Sequence, residues 1–105
     1  MNDKFLSLLG MARRAGRISL GHDAAKESAN RKKAKLIVLA ADTSERLKEE
    51  FRTKAQDTHT DILISLYTVK EISLAVGSKA GVLTVDDEGF SKKLLEIYSI
   101  EHKED

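Results

Sequence analysis

A chain of 105 residues, 41% hydrophobic and 33% charged, has room for one hydrophobic core and for no second one, so a single domain over residues 1–105 is expected. No apolar run approaches the ~20 residues of a membrane span, and the Met1–Leu9 segment lacks the basic start and apolar centre of a secretion signal, which makes cytoplasm the expected location and leaves no membrane partner. Zero cysteines exclude disulfides and thiolate metal ligation, and His22, His59 and His102 fall at no chelating helical spacing, so neither a metal nor a cofactor is expected. The net charge of +1 conceals a dipole. Residues 1–35 carry nine Lys and Arg against three Asp and Glu, or +6, and residues 36–105 carry nine against fourteen, or −5.

In chain order, Phe5, Leu8, Leu9 and Ala12 recur at helical spacing, predicting a helix over 3–15 that Gly16 closes as a left-handed cap. Arg17–Leu20 alternates polar and apolar residues as a short strand does. Gly21 turns the chain into a helix over 22–32, with Asp23 in its first turn, where the macrodipole favours an acid. The continuous aliphatic run Leu36–Ala41 predicts a strand buried on both faces, the central one of its sheet. Asp42, Thr43 and Ser44 are candidate N-caps for a helix whose Leu47, Phe51 and Ala55 step along one side, before a polar connector at 57–60. Asp61–Leu66 reads as a strand, and Tyr67-Thr68 leads into a short helix with Val69, Ile72 and Ala75 or Val76 inward, ending at Gly77. A strand over Val82–Val85 follows a loop of small residues. Asp86 or Asp87 then caps a last helix containing Phe90, Leu94, Ile97 and Tyr98, with a frayed tail after Ile100. Strands alternating with helices predict a three-layer α/β/α sandwich around a mostly parallel sheet, its short first strand running antiparallel at one side.

Three arginines (Arg13, Arg14, Arg17) crowd the first helix-to-strand junction, and Arg31, Lys32, Lys33 and Lys35 end the second helix. These stretches are adjacent in sequence and are expected to share one face around the helix N-terminus that Gly21 opens. Cationic side chains displace condensed counterions and unpaired helix N–H groups point at phosphate, so this face is read as a polyanion dock. With only five aromatic residues, base stacking on aromatic platforms is not its means.

Other motifs carry less. Gly16-Arg-Ile-Ser-Leu-Gly21 has the glycine spacing of a phosphate loop, but His22 and Asp23 stand where Lys and Ser or Thr are needed, leaving nucleotide hydrolysis without machinery. His22 beside Asp23 could form a catalytic dyad, yet neighbours on a first helical turn are expected to point apart and no nucleophile sits at a matching position. Asp86, Asp87 and Glu88 could collect magnesium, and are more simply read as helix caps and dipole partners. Gly77-Ser78-Lys79-Ala80-Gly81 has little side-chain bulk, so its backbone can approach a ligand closely.

The strings LGMARRAGRISLG, AKLIVLAAD, YTVKEISLAVG and VDDEGFSKKL, in that order along the chain, resemble the small bacterial YlxQ-like proteins of the kink-turn-binding ribosomal protein superfamily. The resemblance implies an α/β/α sandwich with a four-stranded mixed sheet, no enzymatic activity, and binding of structured RNA, ribosomal or messenger, by a monomer associated with the ribosome or translation and without DNA specificity. In that superfamily RNA is gripped by a Gly-x-Asn-Glu-x-x-Lys segment, by an Ala-x-Asp element and by an apolar loop before the last strand. By position Gly21 matches the glycine, Asp23 falls on the asparagine, Ala24 on the glutamate and Glu27 on the lysine, with Lys26 one place early. Ala40 and Asp42 match the second element, and Gly77–Val82 covers the third. The charge clustering and the resemblance together give the expected RNA-binding set: Arg13, Arg14, Arg17, Gly21, His22, Asp23, Lys26, Arg31, Lys32, Lys33, Asp42, Ser78, Lys79, Ala80 and Gly81. Ala24 lacks the acceptors that read guanine edges and Glu27 reverses a phosphate-binding charge, so the implied recognition leans on shape and phosphates rather than base edges. Competing expectations are a protein-interaction module on the same fold with a degenerate RNA surface, and a small enzyme built on His22 or the Asp86 group.

Overall fold

The computed structural model describes residues 3–102. In it α1 (Lys4–Arg14), α4 (Val69–Val76) and α5 (Glu88–Glu101) cover one face of a four-stranded sheet, and α2 (His22–Asn30) and α3 (Glu45–Thr58) cover the other. The strands are β1 (Ile18–Leu20), β2 (Leu36–Leu39), β3 (Asp61–Ile64) and β4 (Val82–Val85), in the spatial order β1-β4-β2-β3. Only β2 and β3 run parallel; β4 is antiparallel to both β1 and β2. The expectation of a mostly parallel sheet is thereby corrected. α4 and its loop return the chain to the end of the sheet it has just left, so β4 inserts between β1 and β2 in the reverse direction.

β2 occupies the interior as its aliphatic run demands. All of its residues are buried, with Leu36 and Val38 facing the α1/α4/α5 layer and Ile37 and Leu39 the α2/α3 layer. The run continues past the strand: Ala40 is buried, but its N–H already turns to the carbonyl of Gly81 and that of Ala41 to Tyr67. Phe5 on α1 stacks on Tyr67 with ring centroids 5.2 Å apart and meets the edge of Tyr98 at 5.4 Å. On the opposite face Ala25 and Ala29 let α2 lie close to the sheet beside Phe51 of α3.

Local chemistry sets the element ends. Asp3 caps α1 by accepting from the Leu6 N–H, Ser44 caps α3 from Leu47, and Asp87, rather than Asp86, caps α5 from Phe90. Thr68 and Glu71 form a reciprocal capping box on α4, a Thr-x-x-Glu signal present in the sequence and not drawn from it. α3 runs through Thr58, where a polar connector is expected from residue 57. His59 ends it in a left-handed conformation (φ 56°), and Lys32 takes the same region (φ 63°) after α2. The last helix continues through Glu101, one residue into the expected frayed tail, with His102 as its C-cap, and residues 103–105 lie outside the described residues.

Candidate functional site

The sheet has two ends of different character. At one, β1 delivers Gly21, whose N–H donates to Val82 at 2.9 Å, and β2 delivers Ala40, whose N–H donates to Gly81 at 2.9 Å. The same end carries the start of α3, the start of α4 and the whole 77–81 loop. Asp42 ties them together by accepting from the Val69 N–H at 2.8 Å. Gly21 itself sits at φ 89°, ψ 171°, a region essentially restricted to glycine, and open space lies where a Cβ would project. No side chain caps α2 behind it, so among the described residues the first-turn amides of His22, Asp23 and Ala24 face outward without a partner.

His22 is not idle at this mouth. Its Nε2 lies 2.7 Å from Glu50 Oε2 on α3 and its Nδ1 3.1 Å from Asp23 Oδ1, while the ring edge packs on Phe51. The expectation that His22 and Asp23 point apart is therefore corrected: the first-turn carboxylate folds back onto its neighbour. The hydrogen bond with Asp23, then that with Glu50, raises the imidazole pKa above its ordinary value. Both ring nitrogens are occupied by acids, an arrangement that holds a cation in place and leaves neither nitrogen to accept a proton from a substrate.

Between α4 and its following loop lies an open cleft of about 680 Å³, walled by Val69, Leu74 and the backbone of Gly77 and Ser78, with Lys70 and Lys79 at the rim. Leu74 is 77% exposed, the most exposed of four large hydrophobics left on the surface among the described residues. Sequence reasoning placed the ligand loop here but missed Leu74 and Lys70, which only the position of α4 across the sheet end brings forward. Within the predicted loop the residues divide. Ser78 and Lys79 are exposed, whereas Ala80 is buried with its N–H on Ser73 Oγ, and Gly81 packs where a Cβ would stand 2.8 Å from Thr43 Cγ2. Ala80 and Gly81 therefore shape the loop from inside.

The predicted cations do not all gather round Gly21. Lys26, one turn into α2, is on the exposed side of the same helix, and Arg14 lies against the α1–α4 groove beside Leu74 and Ala75. Arg17 sits at the other end of β1, where its carbonyl accepts from the Asp86 N–H, and Arg31, Lys32 and Lys33 follow the far end of α2. Lys32 donates to the Thr58 carbonyl at 3.2 Å, closing α3, and Arg31 stands 3.9 Å from Glu27. The single basic face expected from adjacency in sequence is corrected to two ends, because β1 and α2 both run along the sheet from one end to the other. Nor do Asp86, Asp87 and Glu88 converge: Asp86 accepts from the hydroxyls of Ser19, Ser28 and Thr84, Asp87 caps α5, and Glu88 pairs with Lys92 at 3.0 Å.

These features define a class: an α/β/α sandwich with one sheet end made of backbone amides, a small-residue loop and an apolar cleft. The chain belongs to the ribosomal protein L7Ae/L30e/S12e/Gadd45 family, whose model matches residues 3–95. It is 30% identical over 94 residues to the RNA-binding protein YlxQ of Enterococcus faecium, a match covering 90% of each chain. Its fold superposes on a Bacillus halodurans protein of unknown function with a TM-score of 0.88 at 25% identity, covering 93% of this chain and 99% of the other. The Giardia lamblia 15.5kD RNA binding protein shares the fold with a TM-score of 0.74 at 17% identity, covering 95% and 89% respectively. Among the described residues no helix is long and apolar enough to cross a membrane.

Proposed function

We propose that this protein is a non-catalytic, translation-associated RNA-binding protein that recognises structured, kink-turn-like RNA at the Gly21 end of its sheet. The observation that carries the reading is the juxtaposition there of uncapped α2 amides with an apolar cleft. A sharply bent RNA offers two things together, a closely approached phosphate backbone and an unstacked base, and the two features suit them in turn. The phosphate meets the N–H groups of His22, Asp23 and Ala24, where Gly21 offers no side chain to obstruct it. The base rests against Leu74 and Val69 under the loop backbone, with Lys70 and Lys79 beside its flanking phosphates. The relative named as an RNA-binding protein supports the same reading.

Titration of a kink-turn RNA and a plain duplex against the full chain tests this. The kink-turn RNA binds more tightly than the duplex, and Leu74→Ser with Lys79→Gln lowers kink-turn affinity about tenfold, the scale of one lost base contact, while leaving duplex affinity nearly unchanged. Equal affinities of the wild type for the two RNAs overturn the proposal.

A second reading rests on the acids at the same mouth. Asp23 and Glu50 bracket His22, and Asp42 stands nearby, which suits a basic partner protein on a degenerate RNA surface. Capture that survives nuclease treatment and is lost in Asp23→Asn with Glu50→Gln would select it.

A further inference from the structure

At the sheet end opposite Gly21, three chain segments meet. Arg17 precedes β1 and Lys35 precedes β2, and each strand starts beside Val85 at the end of β4, with the Lys35 N–H donating to the Val85 carbonyl at 2.8 Å and the Asp86 N–H to Arg17 at 2.8 Å. With β4 between them, the two backbones are two interstrand spacings, roughly 10 Å, apart. Arg13, whose carbonyl accepts from Gly16, and Lys33, at the turn out of α2, flank the pair. All four side chains are exposed, and among the described residues none has a carboxylate within salt-bridge distance.

Of the acids near this corner, Asp61, opposite Leu36 at the start of β3, is exposed and lines one pocket with Lys32 and Lys35 without a salt bridge to either, and the other three are committed elsewhere. Asp86 is turned inward and saturated by the hydroxyls of Ser19, Ser28 and Thr84, Asp87 is held by the Phe90 N–H, and Glu88, which also feels Lys35, is hydrogen-bonded to Lys92. Lys48, Arg52 and Lys93, by contrast, each stand beside an acid three residues away on their own helix. Four exposed cations with no carboxylate in salt-bridge contact among the described residues receive negative charge from outside more readily than paired ones do. α2 separates this corner from Gly21 by about 14 Å, nine residues at 1.5 Å each, too far for one phosphate to reach both.

We infer that Arg13, Arg17, Lys33 and Lys35 form a second RNA contact, gripping the phosphodiester backbone of a helix that flanks the segment bound at Gly21. The inference rests on the reading of Gly21 as an RNA dock and adds a separate footprint. Contact there is with phosphates alone, so it raises affinity for any sequence and leaves discrimination to the other end.

The test uses the full chain, a kink-turn RNA with one long flanking helix, and the variant Arg17→Gln/Lys33→Gln/Lys35→Gln. Affinity is measured by anisotropy over a series of KCl concentrations, with thermal unfolding confirming that the variant is folded. Each lost phosphate contact flattens the slope of log affinity against log salt by a little under one, so the triple variant is expected to lose about two to three from the slope. Its preference for the kink-turn RNA over a plain duplex stays as in the wild type, and trimming the flanking helix abolishes the difference in slope between variant and wild type. An unchanged slope, with the wild type binding normally, overturns the second contact and leaves the Gly21 reading intact. A flattened slope in a chain with no kink-turn preference upholds the second contact and overturns the Gly21 reading. Failure of the wild type to bind either RNA overturns both.

Discussion

Replacing Asp86 by alanine removes the acceptor that joins β1, α2 and β4. Ser28 Oγ donates to its carboxylate at 2.7 Å and Thr84 Oγ1 at 2.8 Å, with Ser19 Oγ as the third donor. Thr84 is fully buried and Ser28 is 3% exposed, so their hydroxyls find no ready replacement, whereas the half-buried Ser19 regains water. A buried donor left without its partner costs about 1–3 kcal/mol. Two such donors, partly relieved by water entering the space the carboxylate vacates, give an expected loss of about 3 kcal/mol. For a domain of this size that lowers the melting temperature by on the order of 10–20 °C. Urea unfolding followed by circular dichroism at neutral pH measures the loss, and an unchanged m-value shows that the same surface unfolds. The source is checked by adding Thr84→Val to Asp86→Ala. If the cost is an orphaned hydroxyl, removing that hydroxyl recovers stability instead of subtracting more. A loss below about 0.5 kcal/mol, the ordinary range for a surface change, refutes the assignment of Asp86 as an internal clamp.

Gly10→Ala places a Cβ 2.7 Å from the Ala75 carbonyl oxygen, a backbone atom that cannot swing aside; the helix-propensity gain of about 1 kcal/mol is outweighed by overpacking of about 1–3 kcal/mol between α1 and α4, and a raised melting temperature would contradict this. Thr68→Ala removes the capping box of α4 at a cost of about 1 kcal/mol, most of which Thr68→Ser retains on urea unfolding. His22 titrates above its ordinary value of 6.5, so its pairing with Asp23 and Glu50 contributes stability in full below that pH and loses it as pH rises through the raised value. Glu50→Gln therefore lowers the His22 pKa in an NMR titration and destabilises the chain more at pH 5.5 than at pH 8.5; equal effects at the two pH values would show that the imidazolium is not held by these acids.

What the sequence discloses and what it conceals divide along one physical line. Helix faces, buried strands and caps are local, and Phe5, Leu9, Phe51 and the run Leu36–Leu39 enter the core as their spacing demands. The direction of β4 is not local. It depends on α4 crossing the sheet end, and periodicity in Val69–Val76 contains no information about crossing. The same gap misplaced the charge. Arg17 and Gly21 are four residues apart and read as neighbours, but a strand of three residues between them carries the one to the Asp86 corner and the other to Val82. Residues adjacent in sequence are close only when the chain turns between them, and an extended segment separates them faster than any other structure. The consequence reaches function. A single basic face around Gly21 would make affinity and discrimination rise and fall together. Here the mouth at Gly21 carries Asp23, Glu50 and Asp42 together with Lys70 and Lys79 at the cleft rim, while a second group of cations stands at the far end, so on the proposed reading affinity can be altered there with discrimination left in place.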